Sequence, residues 1–152
     1  MLSPKIASYL KDHHVQYETI PHANAITASE IAQISHISGK RLAKSVAVKV
    51  DGKVSLVALP ANRRLNIRTF RKAANANNVE VMREYEFQDR FDDCEVGAMP
   101  PLGELYNVDI YIAGSLAKQN WIAFNAGNHH ELLKMNSLDY INLEHPKILK
   151  DL

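Results

Sequence analysis

Two of the chain's six glycines and two of its six prolines fall within seven residues, Gly97-Ala98-Met99-Pro100-Pro101-Leu102-Gly103. Proline fixes φ and removes a donor, while glycine admits positive φ and lets another molecule approach the backbone. The cluster therefore predicts a rigid, nearly bare loop whose remaining N–H groups can bind a carbonyl or phosphate oxygen. A plain turn between two elements is the alternative. Lys44 is the second candidate, because it puts a cation at the mouth of the apolar strand Ser45-Val46-Ala47-Val48. Fixed in a cleft, its ammonium would hold a phosphate or a developing oxyanion; otherwise it snorkels to water. Ser45 beside it does not make a Ser-Lys dyad, since adjacent strand residues point to opposite faces. The third candidate is His129, set after a strand and a glycine in Phe124-Asn125-Ala126-Gly127-Asn128-His129, where an imidazole can hydrogen-bond a ligand or stay a polar loop residue.

Other reactive residue types point away from chemistry. Cys94 is the only cysteine, and it lies in Asp92-Asp93-Cys94-Glu95. It can form no internal disulfide, and its acidic neighbours disfavour a thiolate. That run reads as a solvated acidic segment. His13-His14 and His129-His130 are adjacent pairs without the spacing of a metal site, so neither a metal nor a cofactor is expected.

These candidates need elements to position them. Ser3-Pro4 followed by Ile6, Tyr9 and Leu10 predicts a capped helix ending near His13-His14. A strand follows, with Val15, Tyr17 and Thr19 on one face and Pro21 closing it. Thr27-Ala28-Ser29-Glu30 has capping-box spacing, and Ile31, Ile34 and Ile37 carry that helix to Gly39. Ser45–Val50, the turn Asp51-Gly52 and Lys53–Leu59 predict a hairpin that Pro60 ends. Asn66 can cap a helix with Ile67, Phe70 and Ala74 facing inward. Around it Arg64, Arg68, Arg71 and Lys72 form a basic stripe suited to nucleic-acid phosphates or to solvent. A strand over 79–82 and a helix over 84–91 lead into the Gly/Pro loop. Val108–Ile112 and Trp121–Phe124 read as neighbouring strands joined by the turn Gly114-Ser115, with a further strand over 132–135. Ser137-Leu138-Asp139-Tyr140 opens a closing helix before Pro146.

Paired strands with interspersed helices, and no βαβ repeat, predict an α+β single domain spanning 1–152. Its mixed, largely antiparallel sheet would be curled, barrel-like and flanked by helices. No dinucleotide fingerprint, P-loop or nucleophile elbow occurs. No apolar run reaches membrane-spanning length, so no membrane partner and a cytoplasmic location are expected. Residues 1–78 hold 12 Lys/Arg against 4 Asp/Glu, and residues 79–152 hold 6 against 13. A polyanion could thus meet a basic face on a nearly neutral protein, unless the two halves simply attract each other.

Three separated segments together resemble the YbaK and prolyl-tRNA synthetase editing-domain family. They are Leu42-Ala43-Lys44-Ser45 leading into a Val-rich hairpin, the 97–103 loop, and Ala126-Gly127-Asn128-His129 with the trailing Met135-Asn136-Ser137-Leu138-Asp139-Tyr140. The resemblance covers nearly the whole chain. It implies a free-standing deacylase that hydrolyses the ester of mischarged aminoacyl-tRNA, commonly tRNA-Pro carrying Ala or Cys. It also implies the acceptor end of aminoacyl-tRNA as a partner, with an aminoacyl-tRNA synthetase as a further candidate.

On the resemblance Lys44, Gly103 and His129 are the expected catalytic residues, and Gly97, Ala98, Met99, Pro100, Pro101, Leu102 and Gly127 the expected substrate-binding ones. Arg64, Arg68, Arg71 and Lys72 would take tRNA phosphates. Ala98 and Pro100 stand where many relatives have Gly and Ser, and Ser45 where some alanine-specific relatives have Asn; the amino acid removed is therefore open. With no Ser-His-Asp or Cys-His set in the sequence, water is the expected nucleophile. A non-catalytic binder of aminoacyl-tRNA or of a synthetase is the alternative, with a small-molecule esterase a weaker one.

Overall fold

A computed structural model describes residues 2–150 and 152. The chain runs α1 (Pro4–Asp12), β1 (Glu18–Pro21), α2 (Ala28–Ser35), β2 (Leu42–Val50), β3 (Lys53–Pro60), α3 (Ile67–Ala73), β4 (Val79–Val81) and α4 (Glu84–Phe87). A 3-10 turn over Gln88–Phe91 leads on to α5 (Gly103–Tyr106), β5 (Asp109–Ala113), α6 (Gly114–Ala117), β6 (Trp121–Asn125), β7 (Glu131–Asn136), α7 (Ser137–Glu144) and β8 (Lys147–Leu149).

Local chemistry sets the helix starts. The Ser3 hydroxyl accepts from the Ile6 N–H, Thr27 and Glu30 complete a capping box, and Asn66 accepts from the Thr69 N–H. Asp51 and Gly52 both have positive φ, 49° and 85°, which gives the primed hairpin turn that matches strand twist. α2 stops at His36 in the left-handed region, short of Gly39.

The eight strands form one mixed, unclosed sheet in the order β1-β7-β6-β2-β3-β5-β8, with β4 on β2. β1–β7, β7–β6, β2–β3 and β2–β4 are antiparallel, whereas β6–β2, β3–β5 and β5–β8 are parallel. β5 and β6 are therefore not neighbours: β3 and β2 lie between them, and α6 replaces the expected turn at Gly114-Ser115. β1 is shorter than expected and faces the other way, with Ile20 rather than Tyr17 or Thr19 turned inward.

Both faces of the sheet are covered, which requires buried strands on both sides. On one face Ala43, Ala47, Leu56, Ile112 and Phe124 pack against α1, α7 and the 87–102 segment. The other face carries two separate apolar clusters. One holds Val48, Leu59 and Tyr111 under Phe70 of α3, and the other holds Leu42, Ala123 and Leu132 under Ile31 of α2. No helix among the described residues is long and apolar enough to cross a membrane.

Candidate active site

Alternation along β2 places Lys44 on the face of Leu42 and Val48, hence in the seam between the α2 and α3 clusters. The side chain is half-buried, and no carboxylate among the described residues pairs with it. Burial first, then the charge of nearby Arg64, holds its ammonium below the ordinary lysine range. A cation that is desolvated, unpaired and beside a second cation forms a seat for an anion.

The Gly/Pro loop lies on the opposite face, and it is not bare. Ala98, Met99, Pro100, Pro101, Leu102 and Gly103 are all buried, and only Gly97, at φ 82°, is exposed. Most of its polar groups are already used. The Ala98 N–H donates to Glu95 O, the Leu102 N–H to Pro100 O, and the Gly103 N–H to Glu144 Oε1 at 2.7 Å. Tyr140 donates to Pro101 O at 2.6 Å. Prolines have no N–H, so Gly97 and Met99 carry the loop N–H groups that bond nothing among the described residues. The donor set available to a ligand shrinks to these two, and Gly103 is occupied.

His129 and Gly127 are brought against the start of this loop. Gly127 donates to Ala98 O and accepts from Glu95 N–H, and its φ of 93° suits glycine alone. His129 Nε2 lies 2.8 Å from Val96 O and so carries the proton, which leaves a buried Nδ1 without a partner. Both residues fix the position of Gly97. Their own polar groups contact the loop.

Glu144 and Tyr140, one turn apart on α7, were not among the sequence candidates, yet they hold the far end of the loop. Their i, i+4 spacing was the available signal. Glu144 also accepts from Tyr9 Oη at 2.7 Å and from the Glu104 N–H. Burial raises its carboxyl above the usual range, although these hydrogen bonds favour the anion. A raised folded pKa gives a stabilising contribution that is complete below the unfolded value of about 4.3 and is lost as pH rises through the folded one. Glu144→Gln should therefore flatten thermal stability measured between pH 4 and 8. Glu144→Ala leaves up to three donors without an acceptor, each costing about 1–3 kcal/mol if it stays dry, so its melting temperature should fall by several degrees.

Two acidic-run residues also do more than meet solvent. Asp93 accepts from Ser3 Oγ at 2.6 Å and Tyr106 Oη at 2.9 Å. Cys94 packs beside Tyr106, and its thiol is pushed up to about 12, first by burial. It is inert.

Space at the loop is small. Phe87, Phe91, Gly97 and Met99 enclose a cavity of about 20 Å³, while Ala98 and Leu102 point into solid core. A recess of about 730 Å³ lies away from the loop, at the start of β6 beside Tyr17, Trp121 and Lys134. Arg68 and Lys72 are exposed on α3 and Arg71 is half-buried, whereas Arg64 precedes that helix and reaches towards Lys44.

A model of the aminoacyl-tRNA editing domain matches residues 22–143. A proline–tRNA ligase of Bacillus mycoides is 23% identical over 111 residues, covering 72% of this chain but 19% of the ligase. One of Bacillus cereus matches to the same extent, so the chain spans about a fifth of these relatives. Among solved structures, hypothetical protein APE2540 superposes with a TM-score of 0.81 at 18% identity, over 96% of this chain and 97% of the other. A candidate trans-editing enzyme for prolyl tRNA synthetase superposes with a TM-score of 0.80 at 17% identity, over 99% and 98%.

Proposed function

Because the chain belongs to the aminoacyl-tRNA editing domain family, we propose that it deacylates mischarged tRNA, hydrolysing the ester between a small wrong amino acid and the terminal ribose. tRNA-Pro carrying Ala or Cys is the first substrate to try. The observation that carries this reading is the unpaired Lys44 ammonium in its seam, one strand away from where β6 ends and the 126–129 loop begins. Lys44 seats the terminal phosphate or the polarised carbonyl. The free Gly97 and Met99 N–H groups, on a loop held by His129, Tyr140 and Glu144, address the ester oxygen. Water attacks, and no side-chain nucleophile is used.

Release of free amino acid from a panel of mischarged tRNAs tests the reading. A deacylase frees one or a few of them, whereas a pure binder protects the ester. Turnover of simple esters without RNA would favour a small-molecule esterase. The cavity at Met99 suits small side chains, and a pocket separates substrates that differ by one methylene by only about 1–3 kcal/mol. The released amino acids should therefore be small.

The exposed Arg68 and Lys72, with Arg64 and Arg71, would contact acceptor-stem phosphates. Affinity for tRNA should then fall with salt. Neutralising Arg68, Arg71 and Lys72 together should reduce the log–log slope by about 0.7–0.9 per lost phosphate contact. An unchanged slope in a filter-binding titration would assign these residues to solvent.

A further inference from the structure

The sheet has an opening along one edge of β2, over residues 44–47. On the edge of β2 away from β3, β6 pairs with Leu42 and Ala43, and β4 pairs with Val48, Lys49 and Val50. Residues between them have no ladder partner on that edge, except that Ala47 O accepts from the Met82 N–H. Parity says which groups are left. Leu42 O accepts from Ala61 at the β3 side, while Arg41 O accepts from Ala123 and Ala47 O from Met82 at the opposite side. Odd-numbered residues of β2 therefore aim both backbone groups at the β6/β4 edge. Of the two odd residues in the gap, Ser45 is the one with both backbone groups open, because Ala47 O is taken by Met82. Its N–H and C=O, and the Ala47 N–H, face the opening with no partner among the described residues. Backbone groups in a half-buried strand are rarely left without partners, so the gap is where a ligand would complete the ladder.

Resting on the editing reading, we propose that the aminoacyl group docks here as a single-residue antiparallel β-bridge to Ser45. Its α-ammonium donates to Ser45 O, and its ester carbonyl oxygen accepts from the Ser45 N–H. An aminoacyl ester carries one donor and one acceptor with the spacing of one residue, and Ser45 offers one of each. Antiparallel pairing also fixes direction. The ester oxygen and ribose continue opposite Lys44, where the Lys44 and Arg64 charges meet the terminal phosphate. The amino-acid side chain takes the face of Ser45, towards Met82 and Met99. This arrangement lets Lys44 and the Gly/Pro loop, on opposite faces of the sheet, serve one substrate.

Two hydrolysis-resistant probes that differ only in the α-amino group test it: 3′-alanylamino-3′-deoxyadenosine 5′-monophosphate and its propionylamino counterpart. Titrated into the 15N-labelled protein, the alanyl probe should move and protect the Ser45 amide and bind about tenfold or more tightly than the propionyl probe, the effect of a hydrogen bond to a charged group. Ser45→Pro deletes the Ser45 backbone donor that faces the gap, together with the Ser45 hydroxyl, and spares the β3 ladder bonds, so it should fold. It should weaken the alanyl probe and slow deacylation by about tenfold each. Equal affinity for the two probes, or shifts that leave residue 45 unmoved, overturns the bridge whether or not Ser45→Pro folds. If mischarged tRNA is still hydrolysed in that case, the editing reading stands without it. If no tRNA is hydrolysed and neither probe binds, both fall.

Discussion

Lys44→Met is expected to lower kcat/KM for the accepted mischarged tRNA by about 10²–10³-fold, the scale of losing one preorganised charge at a reacting centre, while the melting temperature stays at or above that of the parent. The two expectations have one cause. Lys44 is held below the ordinary lysine range by burial and by Arg64, so its charged form is a liability to the fold. A depressed lysine pKa contributes stability above the unfolded value and loses it as pH falls through the folded one. Methionine keeps the stem that lies in the seam, removes the desolvated charge and removes that pH dependence. A purely structural lysine would show the reverse, lost stability with activity per folded molecule intact. Melts across pH 7 to 11 beside single-turnover deacylation separate the two, and full activity in Lys44→Met would end the catalytic assignment.

What was legible in the sequence was what is decided locally. Ser3, Thr27 with Glu30, and Asn66 cap helices because each cap and the N–H group it accepts from lie within three residues of each other. Asp51-Gly52 turns the hairpin because both residues tolerate positive φ. Strand neighbours are decided elsewhere. β5 and β6 follow each other in sequence but are separated by two strands, because parallel pairing depends on crossovers that carry no local signal. The candidate site divides in the same way. Lys44 stood out as a cation in an apolar strand, but the face it takes and the Arg64 beside it belong to the tertiary fold. The loop looked bare because Gly and Pro carry little side chain. Tyr140 and Glu144, about 40 residues away, fill its polar groups. The opening at Ser45 could not be read at all, since it consists of partners that two other strands fail to supply.

The two glycines that bound the loop should therefore fail in different ways. A Cβ at Gly103 would sit 2.5 Å from the Val108 carbonyl oxygen and 2.7 Å from Ile110 Cγ1, at the start of α5 against β5. Backbone cannot yield as a side-chain tip can, so Gly103→Ala must shift α5 and strain the Glu144 bond. Overpacking of this kind costs about 1–3 kcal/mol, a fall of roughly 2–4 °C in Tm per kcal/mol for a chain of this length. At Gly97 the nearest atom to a Cβ is His129 Cε1 at 3.9 Å, so space is not limiting. The cost there is the φ of 82°, about 1 kcal/mol for an L residue in that region. Yet Gly97 carries one of the two free loop N–H groups, and relaxing its φ turns that donor away. Gly97→Ala should lose more deacylation per folded molecule than Gly103→Ala, and Gly103→Ala more stability. Thermal melts and single-turnover rates, taken on both variants below their melting points, compare the two directly. If Gly103→Ala proves the more inactive per folded molecule, the ester contact belongs at the α5 end of the loop, and the Glu144 bond to the Gly103 N–H must open when substrate binds.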